Sequence, residues 1–263
     1  MEQVYERHGR VSDFRPGPEA ALPPERVEAF LRVRELMSTT RAETEHNFSL
    51  LSSEETEGAT QVPGFLGQVL AWGMGVLKIE AGTNLVPQLF AFVAARGEAL
   101  LEAEMGPGEY LYIYSLAFYT GLGKSPADGP AFRLLGDDED GNQGRTGADE
   151  FDVREGRRED ILARLNEQLL PMLQRQLAAL DETGDAVETD PWRQQLAAEI
   201  AAMENDRFRI PWRDGLPPAL KASLEPYRTR LEASYSATCN PLEVLVGMGE
   251  GSGETRAEED SES

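Results

Sequence analysis

Apolar residues recur every three or four positions along most of this chain, a spacing typical of helices that bury one face. The first such pattern follows Pro24, with Val27, Phe30 and Leu31 on one face, and it predicts a helix from about 24 to the low 50s. Prolines are concentrated just before it, and proline fits neither a helix interior nor a central strand. Residues 1–23 are therefore predicted to form an extended lead-in.

A run without charged residues lies at 62–77. Gly67, Ala71 and Gly75 recur every four positions in it, so a helix would place them on one face, where another backbone can approach closely. The run is shorter than the roughly 20 apolar residues that span a bilayer. We expect a buried helix of the core, and the alternative is an interfacial or hairpin membrane segment. Residues 83–105 carry the next helical pattern.

The segment 107–121 is rich in aromatic residues, and their spacing fits either a strand or a helix. Tyr110, Tyr112 and Tyr114 alternate as in a strand, but Tyr110, Tyr114 and Phe118 are also spaced as on one helix face. The segment begins at a Gly-Pro pair and ends at a glycine, which are helix boundaries. It is apolar almost all round, so we predict a central helix whose tyrosine hydroxyls need buried partners.

Glycines and acidic residues dominate 124–153, which predicts a long acidic loop. The final residues, 247–263, are acidic and poor in apolar side chains, so a disordered tail is expected there. Strand signals are scarce, with 151–153 and 242–246 as the candidates. Helical patterns fill most of the rest, at 158–180, 190–206 and 215–235, the first containing Pro171 and the last Pro226. The sequence predicts an all-α fold, an irregular bundle of about six to seven helices in a single domain over 24–246.

The net charge and the cysteine count of the chain limit which binding partners and which redox chemistry are expected. With 47 acidic and 25 basic residues the net charge is −22, which disfavours long-range attraction to nucleic acid and anionic lipid, so nucleic acid is not an expected partner. The single cysteine, Cys239, permits no intrachain disulfide and no thiolate metal cluster. No basic and apolar signal peptide is seen at the N-terminus, so the cytoplasm is the expected location. The basic residues are nearly all arginine, which indicates a GC-rich bacterial genome.

The short motifs in this sequence that resemble ligand-binding or metal-binding sites lack required residues. The GLGKS string at 121–125 departs from a phosphate-binding loop, because Phe118 stands where that motif has its first glycine. Glu43 and His46 have the spacing of a di-iron ligand pair, but the sequence has no second pair. Two Pro-Trp-Arg strings are too short to indicate a repeat. We therefore predict no catalytic residue, metal site or cofactor, and an inert thiol at Cys239.

Three functional hypotheses follow. The first is a non-catalytic helical protein that binds another protein or a membrane component. The second is an enzyme or small-ligand binder that uses carboxylate chemistry, with a pocket formed by Trp72, Glu109, Tyr110, Tyr112 and Tyr114. The third is membrane association through residues 62–95.

Overall fold

The computed structural model describes residues 1–54, 85–129, 148–182 and 190–245. Within these ranges every regular element is helical, which confirms the predicted all-α fold. The helices are α1 (Glu2–His8), α2 (Pro24–Leu36), α3 (Ser38–Glu54), α4 (Leu85–Glu102), α5 (Pro107–Tyr114), α6 (Ala148–Glu182), α7 (Pro191–Asn205), α8 (Pro218–Leu224), α9 (Arg228–Ser234) and α10 (Asn240–Leu245). Short 3-10 turns lie at Val11–Asp13 and Glu225–Tyr227.

Proline begins four of these helices, at Pro24, Pro107, Pro191 and Pro218. Its fixed φ suits the first helical turn, where its missing N–H would have no partner in any case. The start of α7 is also capped by Asp190, whose carboxylate accepts a hydrogen bond from the backbone N–H of Trp192 at 3.1 Å. Local sequence therefore sets these boundaries.

The aromatic helix α5 lies at the centre of the core, as predicted. It continues into a π-helical segment, Ser115–Gly121, where the N–H of Leu122 donates to the carbonyl of Ala117. Each residue from Tyr110 to Tyr119 is at most 4% exposed. Phe30 of α2 packs on Tyr110 with 5.1 Å between ring centroids. Burial on every side explains why this helix is apolar almost all round.

A close backbone contact fixes the start of α5. A Cβ atom at Gly108 would lie 2.5 Å from the Cβ of Phe14 and 2.6 Å from the carbonyl oxygen of Val11. Those distances are too short for any side chain, so glycine is required where the 3-10 turn Val11–Asp13 crosses the helix. The N-terminal segment is thereby part of the core, with Val4 and Val11 buried.

The long helix α6 packs along α7 and contributes buried side chains to the core. Leu165, Leu169 and Met172 of α6 are fully buried, as expected from their helical spacing. The helix runs through Pro171 as one element. No helix in the described ranges combines the length and the apolar character needed to cross a bilayer.

Several details differ from the sequence-based expectation. The lead-in begins with helix Glu2–His8, because Val4 finds a buried site in the core. The helix predicted from 24 to the low 50s breaks at Met37 into α2 and α3. The strand candidate 151–153 and residues 242–245 of the other candidate are helical, and the predicted acidic loop ends by residue 148, where α6 starts. The 62–77 run, most of the acidic loop and the tail lie outside the described residues.

Candidate functional site

A closed triangle of buried polar side chains lies where α2, α5 and α10 meet. Arg34, Tyr110 and Glu243 are each at most 2% exposed. The Nη1 of Arg34 donates to the Tyr110 hydroxyl at 2.8 Å and to Oε1 of Glu243. The Tyr110 hydroxyl donates in turn to Oε2 of Glu243 at 2.8 Å. Each member of the triangle therefore bonds to both others.

Helical spacing directs these side chains inward. Arg34 lies three and four positions after the buried Leu31 and Phe30, so it shares the core-facing side of α2. Tyr110 lies in the first turns of α5, where Glu109 is the one residue that is not buried, and Glu243 lies between the buried Leu242 and Val244 on the short α10. The site is thus assembled from three separate parts of the sequence.

Burial and neighbouring charges shift the pKa of two members of the triangle, Arg34 and Tyr110. Burial lowers the pKa of the Arg34 guanidinium, but the attraction of Glu243 and the contact with Tyr110 outweigh it and leave the pKa above its ordinary value. Burial raises the pKa of the Tyr110 hydroxyl despite the nearby Arg34. At neutral pH Arg34 is therefore a charged guanidinium and Tyr110 a neutral phenol.

Two further buried arginines extend the triangle. Arg41 is 9% exposed and donates through Nη2 to the carbonyl of Arg34 at 2.6 Å and through Nη1 to the carbonyl of Ser234. Arg96 is 2% exposed and donates through Nη1 to the backbone carbonyl of Glu243 at 2.8 Å. Burial, followed by repulsion from Arg34, lowers the pKa of Arg41. Of the three buried guanidinium groups, Arg34 thus bonds to the carboxylate of Glu243, and the other two bond to backbone carbonyls.

Asn240 organises an adjoining set of polar contacts. Its Oδ1 accepts hydrogen bonds from the hydroxyls of Tyr114 at 3.0 Å and Tyr119 at 2.8 Å. Its Nδ2 donates to the carbonyls of Pro126 at 2.9 Å and Asp128 at 3.0 Å. One fully buried amide therefore joins the central helix, the segment after it and α10.

The structure separates the residues predicted to line a pocket. Tyr112 is buried and its hydroxyl lies 3.5 Å from Oε1 of Gln176 on α6, on a different side of α5 from the triangle. Glu109 pairs with Arg26 of α2, at 2.5 Å from its Nη2 and 2.6 Å from its Nε. Trp72 lies outside the described residues. A ligand-binding role for this set remains a prediction.

A small cavity adjoins the triangle. Its volume is about 10 Å³. Roughly 10–15 Å³ is the smallest cavity that accommodates one water molecule. The polar side of its lining is Arg96, Tyr110 and Glu243, and the apolar side is Val11, Pro107, Leu111 and Val244. Of the tyrosines predicted to line a pocket, Tyr110 is the one that reaches it.

The other reactive groups of the described core are held in protonated form. Burial raises the pKa of the Cys239 thiol to about 11. Burial also raises the pKa of Tyr114 and Tyr119 well above the ordinary value. Glu43 and His46 are exposed on α3, and no group of metal-ligating side chains occurs in the part of the chain that the structure describes.

Sequence reasoning missed Arg34, Arg96 and Glu243 as members of one site. A signal was present for Arg34, because it is a charged residue at a position that helical spacing assigns to the core. The two Pro-Trp-Arg strings also prove to be neighbours, with 5.6 Å between the ring centroids of Trp192 and Trp212.

No protein-family model, no curated protein and no solved structure matches this chain.

Proposed function

We propose that this chain is a non-catalytic helical protein that binds another protein through a surface of α4 that includes Phe90. The observation that carries the proposal is Phe90, which is 48% exposed. Among the large apolar side chains that the structure describes, that of Phe90 is the most exposed to solvent. It follows closely, along the sequence, the uncharged run 62–77.

An exposed aromatic ring suits the centre of a protein interface. Interface centres are depleted in charge and enriched in aromatic residues, and a few such anchors supply most of the binding energy. Because the net charge of the chain is −22, electrostatic attraction would give the fastest association to a partner whose interface has a basic rim. The expected partner is therefore a protein with an apolar pocket bordered by lysine or arginine.

The alternative of an enzyme or small-ligand binder has less support. Pockets for such ligands have volumes of about 300–1,000 Å³, whereas the cavity beside Tyr110 measures about 10 Å³. The hydroxyls of the three tyrosines predicted to line a pocket are engaged by Glu243, Gln176 and Asn240. The third hypothesis, membrane association through residues 62–95, is tested below by fractionation of the wild type.

The test is affinity capture from native lysate with mass spectrometry, using three forms of the full chain. Phe90→Ser removes the proposed anchor, and Glu98→Ser changes another exposed residue of the same helix two turns away. We expect one protein to be recovered by the wild type and Glu98→Ser, and at least about tenfold less by Phe90→Ser, as for a central anchor.

Equal recovery by all three forms would contradict the proposal. Fractionation of the wild type separates the membrane alternative. Sedimentation with membranes, released by detergent and not by high salt, would favour membrane association, because apolar contact rather than charge would hold the protein.

A further inference from the structure

Residues 14–23, here called the strap, form an extended segment that runs across α6 and α7. Phe14, its first residue, has φ −63° and ψ 136°, and Pro23, its last, has φ −60° and ψ 135°. Both residues therefore have the conformation of a polyproline II helix. Arg15, Gly17 and Glu19 are exposed, so one side of the strap lies on the surface of the protein.

Side chains of α6 and α7 donate hydrogen bonds to three consecutive carbonyls of the strap. Nε2 of Gln176 donates to the carbonyl of Gly17 at 2.7 Å and to that of Glu19 at 3.4 Å. Nε1 of Trp192 donates to the carbonyl of Pro18 at 2.9 Å, and Pro18 has no backbone N–H that would need a partner. Aromatic-lined sites recognise proline-rich peptides because such peptides are already extended and have a backbone free of internal hydrogen bonds.

A residue with a strained backbone supports the Trp192 ring from behind. The ring of Trp212 lies 5.6 Å from that of Trp192, and Trp212 has a φ of 59°, which is uncommon for any residue but glycine. Its backbone N–H donates to Oε1 of the buried Glu199 at 2.9 Å, and Glu199 accepts two hydrogen bonds from Arg209 at 2.8 and 2.9 Å. Backbone strain of this kind persists where surrounding contacts enforce it, and it is concentrated at ligand clamps and active sites.

We propose that Tyr112, Gln176 and Trp192 form a peptide clamp, which binds an extended Pro-x-Pro segment of a partner protein when the strap leaves it. The ring of Tyr112 contributes by packing 5.8 Å from that of Phe14. The strap shows which peptide fits, and since its hydrogen bonds to the clamp are made by backbone carbonyls, another Pro-x-Pro segment can form the same ones. The clamp is independent of the interface proposed at Phe90, because its residues lie on α5, α6 and α7 and Phe90 lies on α4.

The first experiment expels the strap, which competes with any partner peptide because its tether gives it an effective concentration on the order of millimolar. Pro16→Asp places a carboxylate at a buried strap position, whereas Ala21→Asp adds the same charge at an exposed one. Fluorescence anisotropy measures the binding of a fluorescein-labelled peptide with the sequence of residues 14–22 to each full chain. We expect the dissociation constant to be at least about tenfold lower for Pro16→Asp than for the wild type and Ala21→Asp. Equal dissociation constants for the three forms would overturn the proposal.

Two glutamine substitutions, each combined with Pro16→Asp, test whether the peptide occupies the clamp. Gln176→Leu removes the donor to the strap carbonyls and should weaken peptide binding about tenfold. Gln174→Leu is the matched control, because Gln174 is exposed on the same helix and bonds to Glu204 at 3.0 Å, and it should leave the binding unchanged. A peptide with glycine at both proline positions should also bind about tenfold more weakly, because it loses more freedom when it becomes ordered. Equal peptide binding by the two glutamine variants would place the peptide elsewhere and contradict the clamp.

A measurement on the wild type protects the test against a variant that does not fold. At millimolar concentration, the peptide of residues 14–22 with a terminal nitroxide should replace part of the strap and broaden the NMR signal of the Trp192 indole N–H. The glycine-substituted peptide should leave that signal sharp. Absence of broadening by the proline peptide would overturn the proposal. Dimers of the wild type that the peptide dissociates would overturn it as well, because they would assign the clamp to the strap of a second copy.

Discussion

Glu243→Gln is the substitution that most directly tests the buried triangle. The amide has nearly the shape of the carboxylate but no charge, so Arg34 would remain fully buried beside a neutral group. Removing one partner of a buried ion pair costs about 3–5 kcal/mol. Glutamine keeps one oxygen acceptor for Arg34 or Tyr110, so we expect the lower end, a loss of about 3 kcal/mol in the free energy of unfolding.

Urea unfolding followed by circular dichroism measures this loss, which corresponds to a fall of about 1 M or more in the midpoint. The matched control is Glu232→Gln on α9. Glu232 is half exposed and pairs with Arg228 at 3.1 Å. Its loss should cost about 0.5 kcal/mol or less, since solvent screens exposed pairs. A loss below about 1 kcal/mol for Glu243→Gln would refute the claim that the carboxylate compensates a buried charge.

Three further predictions concern the core, its thiol and its pH dependence. Tyr114→Ala removes a ring that packs 4.6 Å from Phe118 and a hydroxyl bonded to Asn240. The free energy of unfolding should fall by about 3–5 kcal/mol, and an unchanged melting temperature would place the ring outside the core. Cys239, with a thiol pKa of about 11, should react with iodoacetamide at pH 8 far more slowly in the native than in the urea-unfolded chain, and equal rates would contradict its burial. Burial, followed by repulsion from Arg7, lowers the pKa of His8 below 6.5 in the folded state. The contribution of neutral His8 to stability is therefore present above pH 6.5, and it is lost as the pH falls through the folded-state pKa. The wild type should therefore lose more unfolding free energy than His8→Gln between pH 7 and pH 5, and parallel losses in urea titrations would contradict this.

The helical fold and its central element were accessible from the sequence because they depend on local signals. Proline at helix starts, glycine after helix ends and the apolar period of α5 together indicated a buried helix over 107–121. The break at Met37 carried no such signal, because neither proline nor glycine marks it. The helix Glu2–His8 is stabilised by the core contact of Val4, which local sequence cannot show.

The candidate site could be predicted only in part. The need of the buried tyrosines for partners followed from their chemistry, and Tyr110 does bond to a carboxylate. Which carboxylate could not be deduced, since Glu243 lies 133 positions further along the chain. Helical periodicity identifies which face of a helix is buried, but it carries no information about which distant segment covers that face.

The long separation between Arg34 and Glu243 has a consequence for protein synthesis. These partners are 209 positions apart, and the ribosome releases the arginine long before the glutamate. Until residue 243 emerges, a nascent chain that closed its core would bury a guanidinium without a counter-charge, which opposes closure. Completion of the core is therefore coupled to translation of α10. Chains that terminate earlier should stay open and be degraded by cellular proteases.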